Sequence, residues 1–115
     1  MIAVPTEREE AKLLVAYMRV RGLHFTHIAN ETGSGRSAKM QGIRNKQQGM
    51  SKGFPDYLVV LPGQLIAIEL KRIKGSVTSP EQLEWIERLN AVNVPARICK
   101  GANEAIDFIE EMRGK

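Results

Sequence analysis

The spacing of hydrophobic residues predicts three helices. From residue 7 to residue 21, apolar side chains recur at the intervals typical of an amphipathic helix, and Thr6 can cap its first turn. A Ser-Pro-x-Gln sequence, with Ser79 as the cap and Gln82 three residues later, begins a second helix over residues 80–92. The pattern predicts a third helix over residues 103–112 and allows a short one near residues 39–48.

Four shorter apolar segments predict strands, at residues 24–29, 56–61, 64–71 and 96–99. The second and third are continuous hydrophobic runs, which are typical of strands buried on both faces. The order α, β, β, β, α, β, α predicts an α/β fold with a mixed central sheet covered by helices on both faces. The chain has no repeat, low-complexity run or linker, so we expect a single domain over residues 1–115.

Pro62 and Gly63 lie between the two hydrophobic strands and predict a hairpin. Proline cannot supply the positive φ of the tight two-residue hairpin turns, so we expect the loop to open to four residues. Either loop, if centred on this pair, opposes residues whose numbers sum to 125. Asp56 then lies opposite Glu69, and Lys71 shares their face of the sheet.

These three side chains form an acidic pair with a lysine. Two carboxylates whose Cβ atoms are about 4.5 to 5.5 Å apart repel each other, unless one is protonated or a cation lies between them. Mg²⁺ or Mn²⁺ suits such oxygen ligands, and the metal can activate water and stabilise the charge of phosphodiester cleavage. Lys71 would orient or deprotonate the attacking water, or neutralise the transition state. The alternative is a structural salt bridge between Lys71 and Asp56 or Glu69.

The basic residues are concentrated in one segment. The chain has 17 Lys and Arg against 13 Asp and Glu, a formal charge of +4. Between Thr32 and Pro55 there is no acidic residue, and the rest of the chain is nearly balanced. We interpret this glycine-bearing segment as a phosphate-binding surface, with a solvated loop as the alternative. The candidate DNA contacts are Arg36, Lys39, Arg44, Lys46 and Lys52.

Several classes of protein are excluded by what the sequence lacks. The glycines around Arg36 lack the Gly-Lys-Ser/Thr ending of a P-loop, so we expect no nucleotide cofactor. A single cysteine, Cys99, excludes an internal disulfide, and we expect it to pack near the last strand. The chain has no long apolar run and no apolar leader, which predicts an intracellular, cytoplasmic protein without a membrane segment.

Three further side chains have structural interpretations. His24 and His27 are three residues apart on a strand, so we expect them on opposite faces and not at a shared metal. Trp85 lies on an amphipathic helix, and we expect it in the core, with stacking on a base as the alternative.

Four ordered blocks of residues resemble the virus-type replication-repair nuclease (VRR-NUC) family of the PD-(D/E)xK nuclease superfamily. Gly53-Phe54-Pro55-Asp56, then twelve residues, then Glu69-Leu70-Lys71 resembles the superfamily motif. His-Ile-Ala-Asn-Glu at residues 27–31 is similar to the family's strand ending in Asn-Glu. Ser-Pro-Glu-Gln-Leu-Glu-Trp at residues 79–85 is similar to its Ser-Pro-x-Gln-x-x-Trp segment.

This resemblance covers nearly the whole chain, and it implies a restriction-endonuclease-like fold and metal-dependent cleavage of DNA. For small stand-alone members it also implies a homodimer that cuts branched DNA such as four-way (Holliday) junctions, in a bacterial or phage-infected cell. A dimer also follows from mechanism, because one active site cuts one strand and symmetric cleavage of a junction needs two.

The resemblance also assigns roles to residues. It implies that Asp56 and Glu69 are ligands of Mg²⁺ or Mn²⁺, that the backbone carbonyl of Leu70 is a further ligand, and that Lys71 is the catalytic lysine. It places Gln82 near the catalytic centre, although this residue fits the helix-capping role equally well.

An acidic residue of the first helix usually joins the metal site in this family. Glu7, Glu9 and Glu10 compete for that role, and we prefer Glu7 because of its position in the alignment. Two alternatives to a structure-selective nuclease stay open. One is a DNA-binding module that does not cut, and the other is a restriction-type nuclease that cuts plain duplex.

Overall fold

The computed structural model describes residues 3–29 and 48–114. Its elements are α1 (Glu7–Val20), β1 (His24–His27), β2 (Tyr57–Leu61), β3 (Gln64–Lys71), α2 (Pro80–Ala91), β4 (Ala96–Lys100) and α3 (Ala102–Arg113). Their order is the predicted order, and every boundary lies within two residues of its predicted position. In this part of the chain no helix is long and apolar enough to cross a membrane.

Some predictions fall outside the described residues. These are the short helix near residues 39–48, apart from its last position, and the Asn-Glu end of the family's strand motif. The candidate DNA contacts outside the described residues are Arg36, Lys39, Arg44 and Lys46.

The four described strands form one mixed sheet in the order β1-β2-β3-β4. β2 pairs antiparallel with both β1 and β3. β4 runs parallel to β3, because the chain crosses through α2 between them. The α/β class and the mixed sheet with flanking helices are therefore confirmed, as is the restriction-endonuclease-like arrangement.

One face of the sheet carries the hydrophobic core. Side chains of β2 and β3 pack there against α1 and α3, and α1 contributes Leu14 and Met18, both fully buried. Cys99 of β4 is also fully buried, as predicted, and burial raises the pKa of its thiol to about 12. This thiol is therefore a packing group and not a thiolate nucleophile.

The other face is less covered than the sequence predicts. Val60 is 54% exposed and Leu65, its partner across the hairpin, is 39% exposed. α2 packs against β4 on this side, and none of its side chains is fully buried. β3 is nevertheless buried on both faces over residues 66–70, as its continuous hydrophobic run predicts. The prediction of burial on both faces is wrong only next to the turn, because an apolar side chain is tolerated singly at a protein surface.

The hairpin has the predicted register and a shorter loop. Tyr57 pairs with Ile68 and Leu61 with Gln64, so paired residue numbers sum to 125 as expected. The loop is Pro62 and Gly63 alone, and the four-residue loop was wrong. Gly63 has φ of 72°. Proline at the first central position and a left-handed glycine at the second suit a type II turn, which needs positive φ only at the second.

Candidate active site

The end of the hairpin brings the two acidic residues of the motif together. Asp56 precedes β2, and the register one step beyond Tyr57 and Ile68 places it opposite Glu69. Asp56 Oδ2 accepts a hydrogen bond of 3.0 Å from the Leu70 N–H. Its backbone carbonyl accepts one of 2.6 Å from Ile28, just after β1. Three strands therefore hold Asp56 in place.

Glu69 is the most enclosed charged group of the site, since it is only 3% exposed. Lys71 Nζ lies 3.6 Å from Glu69 Oε2. The two acidic residues and the lysine thus share one face of the sheet, as predicted. The salt bridge between Lys71 and Glu69, which was the alternative to a metal site, is present within this cluster. One ammonium group balances only one of the two carboxylates, so the cluster has an excess negative charge whenever both carboxylates are ionised.

Gln82 combines both roles that the sequence suggests. Its backbone N–H donates to Ser79 Oγ at 3.2 Å and its Oε1 accepts from the Ser79 N–H at 2.9 Å, which completes the capping box of α2. Its Nε2 also donates to Glu69 Oε2 at 3.0 Å. The helix cap therefore aims the amide at the buried carboxylate.

The two carboxyl groups are held close enough to disturb each other's ionisation. Burial first, and then the charge of Asp56, raises the pKa of Glu69 to about 8, although Lys71 opposes the rise. Burial also raises the pKa of Asp56, against the stabilising N–H of Leu70. Near neutral pH the pair therefore holds a proton unless a cation takes its place.

This raised pKa predicts how stability depends on pH. A carboxyl group whose folded-state pKa lies above its unfolded value of 4.5 favours folding in its protonated form. In EDTA, the contribution of Glu69 to the free energy of unfolding is then greatest below about pH 4.5. It falls as the pH rises towards about 8, by up to about 1.4 kcal/mol per pH unit. Thermal unfolding of wild type and Glu69→Gln between pH 5 and 8 measures this effect.

The expected result is a shallower pH dependence in Glu69→Gln, because the amide cannot lose a proton. Glu84→Gln is the matched control, since Glu84 forms an exposed ion pair with Arg88. An unchanged slope in Glu69→Gln would show that this carboxyl group titrates normally.

The donor set suits a hard divalent cation held by few protein ligands. Within residues 3–29 and 48–114, no three His, Cys, Asp or Glu side chains are grouped to hold a metal. Asp56 and Glu69 supply two carboxylates, and Mg²⁺ is commonly bound by one or two of these together with waters and substrate phosphates. The two residues therefore fit an ion whose other positions are filled by water and phosphate.

An open cleft of about 320 Å³ adjoins this cluster on the side of α1. Glu7, His27, Asp56 and Leu70 are among its lining residues, whereas Glu69 is not. Asp56 is thus the residue common to the cleft and to the buried carboxylate cluster. A ligand in the cleft would reach the cluster through Asp56.

The three acidic residues of α1 have separate positions. Glu7 faces the same cleft as Asp56. Glu9 is the third residue of the helix, where its Oε1 accepts from the Thr6 N–H at 3.0 Å and completes a capping box. Glu10 is buried away from the cleft, and its Oε1 accepts from the Ala102 N–H at 3.1 Å.

Glu10 therefore acts as the missing cap of another helix. α3 begins after Gly101, which has no side chain to cap it. Gly101 has φ of 91°, and a Cβ there would lie 3.2 Å from Glu10 Oε2. A carboxylate at a helix N-terminus also interacts favourably with the helix dipole. Glu10 thus ties α1 to α3, and Glu7 alone of the three lines the cleft.

His27 is a cleft residue to which the sequence assigned no role. It pairs with Tyr57 across β1 and β2, and the two ring centroids are 5.0 Å apart. Its charge contributes to lowering the pKa of Asp56, against the larger effect of burial. Only the pairing of β1 with β2 brings His27 to the cleft. The basic segment separates these two strands in the sequence, so their register could not be predicted from local spacing.

Trp85 is neither a core residue nor an open platform, and the core assignment was wrong. The indole is half-buried, and its Nε1 donates to the Lys52 carbonyl at 3.0 Å. Its ring packs edge-on against Phe54, with centroids 5.0 Å apart. Because α2 buries no side chain completely, the indole instead holds the chain that leads to Asp56.

Gly53 lets this same chain pass close to the start of α2. It has φ of 87°, and a Cβ there would lie 2.7 Å from the Glu81 carbonyl carbon and 2.8 Å from the Gln82 nitrogen. Contacts this short with backbone atoms require the backbone to shift. The Gly-Phe-Pro-Asp block thus needs glycine for both conformation and space.

We expect Gly53→Ala to lower the free energy of unfolding by roughly 3 kcal/mol, from left-handed strain and backbone overlap together. Gly63→Ala is the matched control, because it has φ of 72° but no atom within 4 Å of its added Cβ. It should cost about 1 kcal/mol. Urea unfolding measures both, and equal losses would show that contact with α2 is unimportant.

The comparisons with known proteins agree with this fold. The family model of the VRR-NUC domain matches residues 8–103. A solved structure described as "VRR_NUC domain protein" superposes with a TM-score of 0.78 at 20% identity, over 96% of this chain and 89% of that chain. At this identity the likeness shows the fold alone. No curated protein matches the chain. The family match covers most of the chain, including Asp56, Glu69, Lys71 and Gln82. The chain therefore belongs to the VRR-NUC family of nuclease-type, DNA-processing domains.

Proposed function

We propose that the protein is an endodeoxyribonuclease that uses Mg²⁺ or Mn²⁺ to hydrolyse phosphodiester bonds in branched DNA. The observation that carries the proposal is the pairing of partly buried Asp56 with buried Glu69, with Lys71 Nζ 3.6 Å from Glu69 Oε2, beside an open cleft. Such a pair needs a proton or a cation, and a divalent cation there would stabilise the negative charge of a phosphodiester.

The proposed roles of the residues combine their contacts with the family resemblance. Asp56 and Glu69 would hold the metal, with the backbone carbonyl of Leu70 as a further ligand. A metal bound there would polarise the phosphate and lower the pKa of a water molecule. Lys71 orients or deprotonates the attacking water, or neutralises charge in the transition state. Gln82 fixes the orientation of the Glu69 carboxylate through its 3.0 Å hydrogen bond.

Glu7 has a supporting role in this proposal. It faces the cleft with Asp56 but is not grouped with Asp56 and Glu69 as a third direct ligand. We therefore assign it to the metal site through an intervening water. Residues that orient ligands in this way typically affect activity less than the direct ligands do.

The preference for branched DNA rests on how the chain would hold its substrate. The acid-free basic segment grips phosphates, and phosphate contacts carry no sequence information, so DNA is selected by shape. A homodimer places two such sites on one symmetric junction. The phosphate contacts in this proposal are Arg36, Lys39, Arg44, Lys46 and Lys52.

A cleavage assay tests this function. The protein is incubated with an end-labelled four-way junction or with a linear duplex of the same sequence, in Mg²⁺, Mn²⁺ or EDTA. We expect paired nicks in the junction with either metal, no nicks in EDTA and little cutting of the duplex. Light scattering should give about twice the chain mass of 12.8 kDa.

The two alternatives give different results in the same assay. A retained gel shift without nicks in either metal would overturn the enzymatic proposal and indicate a DNA-binding module. Discrete fragments from the plain duplex would instead indicate a restriction-type nuclease.

A further inference from the structure

The exposed face of α1 carries a basic stripe that the proposed function does not use. Arg8, Lys12 and Arg19 are all exposed, and their spacing of four and seven residues returns each to the same side of the helix. The stripe extends over about 16 Å at 1.5 Å per residue. Ala11, Val15 and Ala16 lie between the basic residues and form, with them, a shallow groove of about 300 Å³.

The arginines of this stripe differ from the other described arginines. Each of the others donates to a protein oxygen, four of them to a glutamate and Arg72 to a backbone carbonyl. Among the described residues, Arg8 and Arg19 make no such bond. Unused guanidinium groups are available for planar recognition of an anion such as phosphate.

The charges around the stripe favour an anionic ligand. Two acidic residues flank Arg8 in the sequence: Glu7, which lines the cleft with it, and Glu9, whose pKa Lys12 helps to lower. The carboxylate of Glu9 is already bonded to Thr6 in the capping box, and it lies to one side of the stripe. The small residues of the groove floor let a polymer backbone lie against the helix.

The stripe is continuous with the candidate active site. Arg8 and Ala11 line both the groove and the cleft that contains Asp56. A strand whose phosphate reaches Asp56 would therefore continue over Arg8 and along the helix. This continuity distinguishes nucleic acid from an acidic protein or a lipid surface, neither of which needs to extend from the carboxylate cluster.

We propose that the α1 stripe of Arg8, Lys12 and Arg19 is a second phosphate-binding track, which holds the DNA backbone on one side of the phosphate to be cut. The proposal rests on the proposed nuclease function for the identity of its ligand. It assigns to α1 a grip on DNA separate from that of the basic segment after β1.

The test compares two triple variants with the same loss of charge. One is Arg8→Gln, Lys12→Gln and Arg19→Gln. The control is Arg21→Gln, Arg97→Gln and Arg113→Gln, which removes three arginines that form exposed ion pairs. Glutamine is a good helix former, so both variants should fold, and thermal unfolding checks this. Binding of a fluorescein-labelled four-way junction is measured by anisotropy in EDTA from 50 to 200 mM NaCl.

We expect the slope of log Kd against log salt concentration to fall by about 2 to 3 in the stripe variant, since each lost phosphate contact removes about 0.9. The control slope should change by less than about 0.5. The single variants Arg8→Gln and Arg19→Gln should each lower the slope by about 0.9, which gives the same information if the triple variant does not fold.

Equal slopes in the stripe and control variants would overturn the track. So would an unchanged DNA slope together with loss of binding to phosphatidylserine vesicles, which would indicate a lipid-binding face. Because the readout is binding, a wild-type protein that binds through the stripe but cuts no DNA would refute the nuclease activity and leave the track intact.

Discussion

Asp56→Asn is expected to reduce the single-turnover rate of junction cleavage at least about 1000-fold, which corresponds to about 4 kcal/mol of lost transition-state stabilisation. Asparagine retains an oxygen that can accept the Leu70 N–H, so the local fold should persist. It lacks the charge that a divalent cation requires. Binding of the same junction, measured by anisotropy in EDTA, should change less than about threefold.

Asp107→Asn is the matched control, because Asp107 is exposed on α3 and its replacement changes the net charge equally. Lys71→Ala should also abolish cutting, whereas Lys74→Ala, in the exposed loop that follows β3, should not. Full activity in Asp56→Asn or Lys71→Ala, with binding intact, would remove the proposed catalytic centre.

Replacing the acidic residues of α1 one at a time should distinguish their roles. Glu10→Ala is expected to lower the free energy of unfolding by about 2 to 3 kcal/mol, because it removes the buried cap of α3 and a charge-assisted hydrogen bond. The melting temperature should fall by roughly 10 °C. Below that transition the variant should still cut DNA, since Glu10 points away from the cleft.

Glu7→Gln should behave in the opposite way, with a melting temperature close to that of the wild type and cleavage 10-fold to 100-fold slower, an order typical of groups that orient a metal ligand. Glu9→Gln is the control for both, because it perturbs only an exposed capping box and should cost at most about 1 kcal/mol. A Glu7→Gln variant with normal cleavage would exclude Glu7 from the site. Loss of cleavage in a folded Glu10→Ala variant would contradict the assignment of Glu10 as a cap.

The central part of the site could be predicted because its geometry is local. Two hydrophobic strands and one turn fix the register of the hairpin. Once the turn is centred on Pro62 and Gly63, the partner of each residue follows, because paired residue numbers sum to 125. The loop length was wrong, yet the error did not matter because both loops give the same pairing. Asp56 opposite Glu69, with Lys71 on the same face, therefore needed no knowledge of distant contacts.

Other features depend on contacts between distant parts of the chain. Glu10 caps a helix that begins 92 residues later, and no spacing in the sequence points to that contact. Trp85 donates to the backbone carbonyl of Lys52. Every residue has a backbone carbonyl, so the sequence does not indicate which one the indole contacts. The choice among Glu7, Glu9 and Glu10 could thus be narrowed only after α1 was seen packed between the cleft and α3.

Gln82 shows how a correct local signal can be incomplete. The Ser-Pro-x-Gln pattern predicts a capping box, and the structure contains it. The same amide also reaches Glu69, because α2 begins beside the end of β3. A capping residue uses only part of its hydrogen-bonding capacity, so capping and contact with a reactive group are compatible.

In the proposed mechanism, Asp56 and Glu69 form a metal-dependent cutting site whose cation replaces a shared proton. The most direct test is the single-turnover rate of junction cleavage as Mn²⁺ is added to metal-free protein, at pH 6.5 and at pH 8. We expect no cleavage without metal and a saturable rise with Mn²⁺. Because the pKa of Glu69 is raised to about 8, the half-saturating Mn²⁺ concentration should fall roughly tenfold from pH 6.5 to pH 8. Cleavage in metal-free protein, or no cleavage at any Mn²⁺ concentration, would contradict the account.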